Sequence, residues 1–194
     1  MEVSIKGVIF DLDGVLTDTS RLHYIAWKKI SDDIRVYFDE RINERLKGVG
    51  RLQSLEIILE RSERKFTDQE KQDIARAKNE YYENLIKGIT PSDLFPGVLD
   101  VMKEIRNTGI KTALASASKN AFSVVASLGI YNYFDAIVDA GSIGKGKPDP
   151  GIFIAAAEMM GLNCCDCAVI EDSAAGITAA KSAGMIAVGI GRRE

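Results

Sequence analysis

Gly7-Val8-Ile9-Phe10-Asp11-Leu12-Asp13-Gly14 is the stretch from which the fold is read: a short apolar strand that ends by presenting two aspartates. Its partners lie in the second half of the chain, where the apolar runs Lys111–Ala115, Ala136–Asp139, Ala168–Ile170 and Ile186–Ile190 alternate with amphipathic segments. The intervening helices are long enough to cross back over a parallel sheet. Four of them stop at a glycine (Gly109, Gly129, Gly161 and Gly184), which tolerates the left-handed conformation that closes a helix. The expected core is a five-stranded, Rossmann-like α/β sheet formed by residues 1–14 and 93–194.

Between Val15 and about Ser92 the strand pattern gives way to helical periodicity, through Leu22–Ile30, Glu40–Lys47, Leu52–Arg61 and Asp68–Ile86. The last of these opens with Thr67-Asp68-Gln69-Glu70, in which the threonine caps the helix and the glutamate reaches back to it, and Pro91 follows its end. A helical block that leaves the chain after the first strand and rejoins it before the second is an insertion. Residues 15–92 are therefore expected to form a cap domain over the carboxyl end of the sheet.

A chain of 194 residues, 46% of them apolar, can bury one substantial core and carry a small accessory domain. Its 25 basic and 28 acidic residues leave a net charge of −3, with no basic excess for a nucleic-acid backbone. No apolar run approaches the roughly 20 residues of a membrane helix, and no signal-peptide pattern precedes the first strand. The expectation is a cytoplasmic monomer that binds neither nucleic acid nor membrane. Cys164, Cys165 and Cys167 sit too close together to staple distant segments, and the single histidine, His23, is far from them, so they are expected to be ordinary thiols.

In an open parallel sheet, ligands bind outside the carboxyl ends of the strands. The residues that follow the apolar runs there are Asp11 and Asp13, then Ser116, Lys147-Pro148, and Glu171 with Asp172. Carboxylates so clustered repel one another unless a cation sits among them, and hard oxygen donors favour magnesium. Asp11, Asp172 and a carbonyl or carboxylate at Asp13 are the preferred ligands, with Glu171 adjoining them. With the metal and Lys147 neutralising phosphate oxygens, Asp11 can attack phosphorus while Asp13 serves the leaving oxygen, and Ser116 holds another phosphate oxygen.

The run Asp11-Leu-Asp-Gly-Val-Leu-Thr-Asp18, with Ser116, Lys147-Pro148 and Glu171-Asp172-Ser173-Ala-Ala-Gly176, resembles the haloacid dehalogenase superfamily. Leu46-Lys-Gly-Val-Gly-Arg51 with Ser54, and Ala115-Ser-Ala-Ser-Lys-Asn120, are similar further to the β-phosphoglucomutase family within it. That resemblance implies a phosphosugar substrate, with glucose 1,6-bisphosphate as intermediate and activator. It places Lys47, Gly48, Val49, Gly50, Arg51 and Ser54 on the cap, around the phosphate that is not transferred, and Ser116, Ala117, Ser118, Lys119 and Asn120 on a core loop that meets phosphate and sugar. It also turns His23, Trp27, Lys78 and Asn79 toward substrate. Hydrolysis of a phosphosugar on the same core is the alternative.

Plainer readings stand beside these. His23 on an amphipathic helix can be structural, Trp27 can be cap core, and Lys47 with Arg51 can be a solvated face. Lys145 competes with Lys147, but only Lys147 precedes proline. Gly50 occupies a position where the family commonly has a hydroxyl residue. The chain ends at Gly191-Arg-Arg-Glu194 where relatives usually continue, which predicts a thinly covered sheet edge.

Overall fold

The sheet is built outward from β1 (Gly7–Phe10), flanked by β2 (Lys111–Ser116) and β4 (Cys167–Glu171), with β3 (Ala136–Asp139) and β5 (Ile186–Gly189) at the edges. These assignments come from a computed structural model that describes residues 4–191. All four pairings are parallel, in the order β3-β2-β1-β4-β5. A central strand in such a sheet is covered on both faces, which is why Gly7–Phe10 is apolar throughout and all four residues are buried. Val8 and Phe10 pack on one side with Met102 of helix α5 (Val98–Asn107) and Val124 and Val125 of α6 (Ala121–Ser127). Ile9 packs on the other with Phe153 of α7 (Gly151–Met159) and Ala179 of α8 (Ala174–Ser182).

The four helix-stopping glycines lie where expected, each with φ between 67° and 76°. The apolar residues Ile186, Val188 and Ile190 at the β5 edge are exposed. The expectation attached to Arg192–Glu194 lies outside the described residues.

Between β1 and α5 run α1 (Thr19–Asp33), α2 (Glu40–Glu44), α3 (Arg51–Leu59) and α4 (Asp68–Ile86). They form an inserted helical cap with its own apolar cluster of Trp27, Val36, Phe38, Ile42, Leu46, Leu55, Ile58 and Ala75. Ala26 of α1 and Tyr82 and Ile86 of α4 instead join the cluster under the sheet, so the two long helices root the cap in the core. The Thr67–Glu70 capping box at the start of α4 is formed on both sides. Helix α2 ends at Glu44, short of the expected Lys47, and the chain turns to reach Gly48 with φ 70°.

Candidate active site

Strand β1 releases Asp11 at its carboxyl end, and the Asp11 N–H still bonds to the Ile170 carbonyl of β4 at 3.0 Å, so the nucleophile candidate is held by the sheet itself. Lys147, from the loop after β3, is fully buried and bridges two carboxylates: its Nζ lies 2.6 Å from Asp11 Oδ1 and 2.5 Å from Glu171 Oε1. Lys145, the competing lysine, is exposed, whereas Lys147 is buried against both carboxylates. Burial pushes the Asp11 carboxyl up to about 8, with the Lys147 ammonium opposing the shift and Glu171 and Asp13 adding to it. Asp172 is pushed up to about 6, again by burial first and then by Glu171.

Oxygens of Asp11, Glu171 and Asp172 lie within 4.8 Å of one another. One ammonium for this group of carboxylates leaves the cluster short of positive charge, and its donors are all hard oxygens, so a divalent cation such as magnesium fits it. The Asp13 carboxylate is not part of the cluster. It accepts instead from the Thr19 hydroxyl, and its own pKa is raised, chiefly by burial, with the Thr19 bond pulling the other way. Both Glu171 oxygens already have partners, since Oε2 accepts from Ser173 N (2.7 Å) and Ser173 Oγ (2.8 Å).

The spacing Glu171-Asp172-Ser173-x-x-Gly176 now has a physical cause. Ser173 caps α8 by accepting from Gly176 N at 3.0 Å while donating to Glu171, and a Cβ on Gly176 would overlap the Glu171 carboxylate. Glycine therefore lets the helix terminus approach the acidic cluster. On β2, at the other side of β1, buried Ser116 accepts from Ser118 N (3.1 Å), and Ser118 Oγ accepts from Asn120 N (3.2 Å), which folds 116–120 into a loop.

A cavity between cap and core is lined by Asp13, His23, Trp27, Lys47, Gly48, Val49, Arg51, Ser54, Lys78, Asn79, Ala117, Ser118, Lys119 and Asn120. The cap residues expected from the sequence thus converge on one space, except Gly50, which lines a neighbouring pocket with Arg51 and Lys147 instead. Lys78 is almost completely buried, with its Nζ 4.6 Å from the Tyr82 ring and 5.2 Å from the Trp27 ring, so Trp27 forms a wall for the lysine as well as for the cavity. Burial, aided by the Arg51 charge, lowers the Lys78 pKa to about 7. His23 is held well below the usual histidine range by burial and then by Lys78, stacks on Tyr82, and accepts at Nδ1 from Lys78 at 2.7 Å. Its Nε2 then carries the hydrogen and faces Asp13 Oδ1 at 3.7 Å.

Lys47 is half-buried and pairs with Glu44 at 2.9 Å, while Lys119 is exposed at the cavity rim. Ser54 is buried and donates to the Val49 carbonyl at 3.3 Å. Gly50 is the N-cap of α3 without a side-chain bond, and a Cβ there would meet nothing within 4 Å, so a hydroxyl residue would fit. Gly48 is different: with its left-handed φ, a Cβ would lie 2.5 Å from Ser173 Oγ, so the cap packs closely on the core motif at this point.

Sequence reasoning overlooked Thr19, Tyr82 and Asn43. Tyr82 follows Lys78 by one helical turn, a signal that was available; Thr19 is marked only by lying next to Asp18, and Asn43 by nothing local. The three cysteines are free thiols around the start of β4, the opposite end of that strand from Glu171.

The sequence profile of the haloacid dehalogenase-like hydrolases matches residues 5–184. The chain is 50% identical to a β-phosphoglucomutase of Bacillus subtilis over 191 residues, covering 97% of this chain and 84% of that protein. It superposes on the crystal structure of a Clostridium difficile β-phosphoglucomutase with a TM-score of 0.93 at 44% identity, covering 97% of this chain and 85% of the other. A fructose-1-phosphate phosphatase of Escherichia coli is 32% identical, covering 95% of each chain. A family profile that spans nearly the whole chain, and a catalytic edge assembled from its motifs, make this chain a member of the haloacid dehalogenase-like hydrolase family, with β-phosphoglucomutases among its relatives.

Proposed function

We propose that the chain is a phosphomutase that interconverts β-D-glucose 1-phosphate and D-glucose 6-phosphate through a phosphorylated Asp11 and β-glucose 1,6-bisphosphate. The observation that carries this reading is that groups suited to phosphate stand at two places, the sheet edge and the cavity between cap and core. Asp11, Lys147 and Ser116 stand at the sheet edge, and Arg51, Ser54, Lys119 and Asn120 stand between the cap and the loop after β2. A monophosphatase has no use for the second set. Identity of 50% to a β-phosphoglucomutase supports the same reading, whereas the phosphatase relative is more distant.

In this account Asp11 attacks phosphorus, and Lys147 stabilises the negative charge of the phosphoryl oxygens. Asp13, its pKa raised, gives a proton to the departing sugar oxygen and takes one from the attacking hydroxyl in the return step. Magnesium, held by Asp11, Asp172 and the backbone carbonyl of Asp13 with Glu171 beside them, would supply further positive charge at the phosphoryl group. Arg51 grips the phosphate that stays on the sugar through its planar fork. The cap excludes water while Asp11 is phosphorylated.

Glucose 1,6-bisphosphate is expected to stimulate conversion of β-glucose 1-phosphate in a coupled assay, and chelation with EDTA to stop it until magnesium is restored. Conversion indifferent to the bisphosphate would remove the mutase cycle from this account.

Gly48→Ala tests the cap. The new methyl group strains a left-handed residue by about 1 kcal/mol and strikes Ser173 whenever the cap closes. The expected result is a fall in kcat/KM of about 10²-fold, as for other angstrom-scale misplacements, with an unchanged circular dichroism spectrum. Activity equal to that of the parent would mean that the cap does not close on Ser173 during turnover.

A further inference from the structure

Asn79, on the inner face of α4, joins three separate elements. Its Nδ2 donates to Glu83 Oε1 one turn along the helix at 2.6 Å. This turns its Oδ1 toward the site, where it accepts from Arg51 Nη2 at 2.6 Å and from Asn120 Nδ2 at 2.9 Å. Arg51 opens α3 in the cap, and Asn120 belongs to the core loop after β2. Among the described residues, the other hydrogen bonds between cap and core lie where the chain crosses from one to the other, within residues 12–19 and 90–95, and include Thr19 to Asp13, Thr17 to the Asp93 carbonyl, Leu16 N to the Leu12 carbonyl, Phe95 N to the Leu16 carbonyl and Thr90 N to Asp93 Oδ2. The Asn120–Asn79 bond is the one made away from those crossings.

We propose that Asn79 is a positioning residue that clasps the closed cap to the core and holds Arg51 ready for the phosphate that is not transferred. The proposal rests on the mutase reading for its second half only. A neutral carbonyl suits both duties. It satisfies one nitrogen of Arg51 without forming an ion pair, so a phosphate can still claim the remaining donors of the fork. Glu83 fixes which way the amide faces, because its carboxylate accepts only from the NH2 side; Glu83 also adds a favourable charge near Arg51.

Two substitutions give opposite signatures. In Asn79→Ala the clasp is lost, the cap opens more often, and water reaches phospho-Asp11. Free phosphate released per glucose 6-phosphate formed should rise roughly fivefold or more, the change expected from one lost hydrogen bond. In Asn79→Asp the acceptors remain but Arg51 is captured by a carboxylate. KM should rise about tenfold with kcat reduced less, and the phosphate-to-product ratio should stay near that of the parent. Glu83→Ala should move in the direction of Asn79→Ala.

Hydrogen–deuterium exchange on the ligand-free protein separates the clasp from the mutase reading. Asn79→Ala should raise exchange in residues 46–52 and 117–120 together, while the strands remain protected. If exchange in those segments equals that of the parent, or if both variants lower kcat and raise KM alike with the same partition ratio, the clasp is wrong. If exchange rises as expected while the parent itself releases free phosphate as fast as it consumes substrate, the clasp stands and the mutase reading falls.

Discussion

Asp11→Asn is expected to fold like the parent and to lose activity by about 10⁴-fold or more, because it keeps the shape of the side chain and removes the nucleophile. The cluster should tolerate the change. Lys147 retains Glu171 as its partner at 2.5 Å, and the cost of burying the Asp11 carboxylate, which together with Glu171 and Asp13 pushes it up to about 8, is relieved. The thermal midpoint should therefore match or exceed that of the parent, while the midpoint gain on adding magnesium should shrink. A coupled assay and melting curves with and without the metal check both halves. Near-native turnover would refute Asp11 as the nucleophile.

Lys147→Met is expected to have the opposite effect on stability. It removes the one ammonium shared by Asp11 and Glu171 and leaves two buried carboxylates facing each other. Breaking a buried pair from one side costs about 3–5 kcal/mol, which for a chain of this size lowers the melting point by roughly 10 °C. Turnover should be lost too, since the phosphoryl oxygens lose their fixed cation. Magnesium should recover more melting temperature in Lys147→Met than in the parent, because the variant cluster is still more deficient in positive charge. A variant that melts with the parent would show that Lys147 is not the counterion of this cluster.

The contrast between these two variants reflects how much of the site could be read before any coordinates. The strand Gly7–Phe10 was legible because a central parallel strand must be apolar on both faces, and the glycine stops because left-handed residues select glycine. Asp11, Ser116, Lys147 and Glu171 followed from them, since each comes directly after a strand or in the loop that leaves one. Helix limits were harder. Helix α1 begins at Thr19 rather than Leu22 because Asp18 caps it through Arg21 N at 3.3 Å, a polar start that apolar periodicity misses. Helix α2 ends early because the chain must turn to bring Gly48 against Ser173. The Asp13 carboxylate turns toward Thr19, a choice of rotamer that spacing does not encode. The bond between Asn79 and Asn120 joins residues 41 positions apart, and no local pattern marks it.

The most direct test of the central claim follows both products in one tube, with purified protein, magnesium, β-glucose 1-phosphate and a catalytic amount of glucose 1,6-bisphosphate. The account predicts that glucose 6-phosphate rises with little free phosphate, because phospho-Asp11 is shielded by the cap and returns its phosphoryl group to sugar. Free phosphate appearing at the rate of substrate loss would contradict it and make the enzyme a phosphosugar phosphatase built on the same catalytic edge.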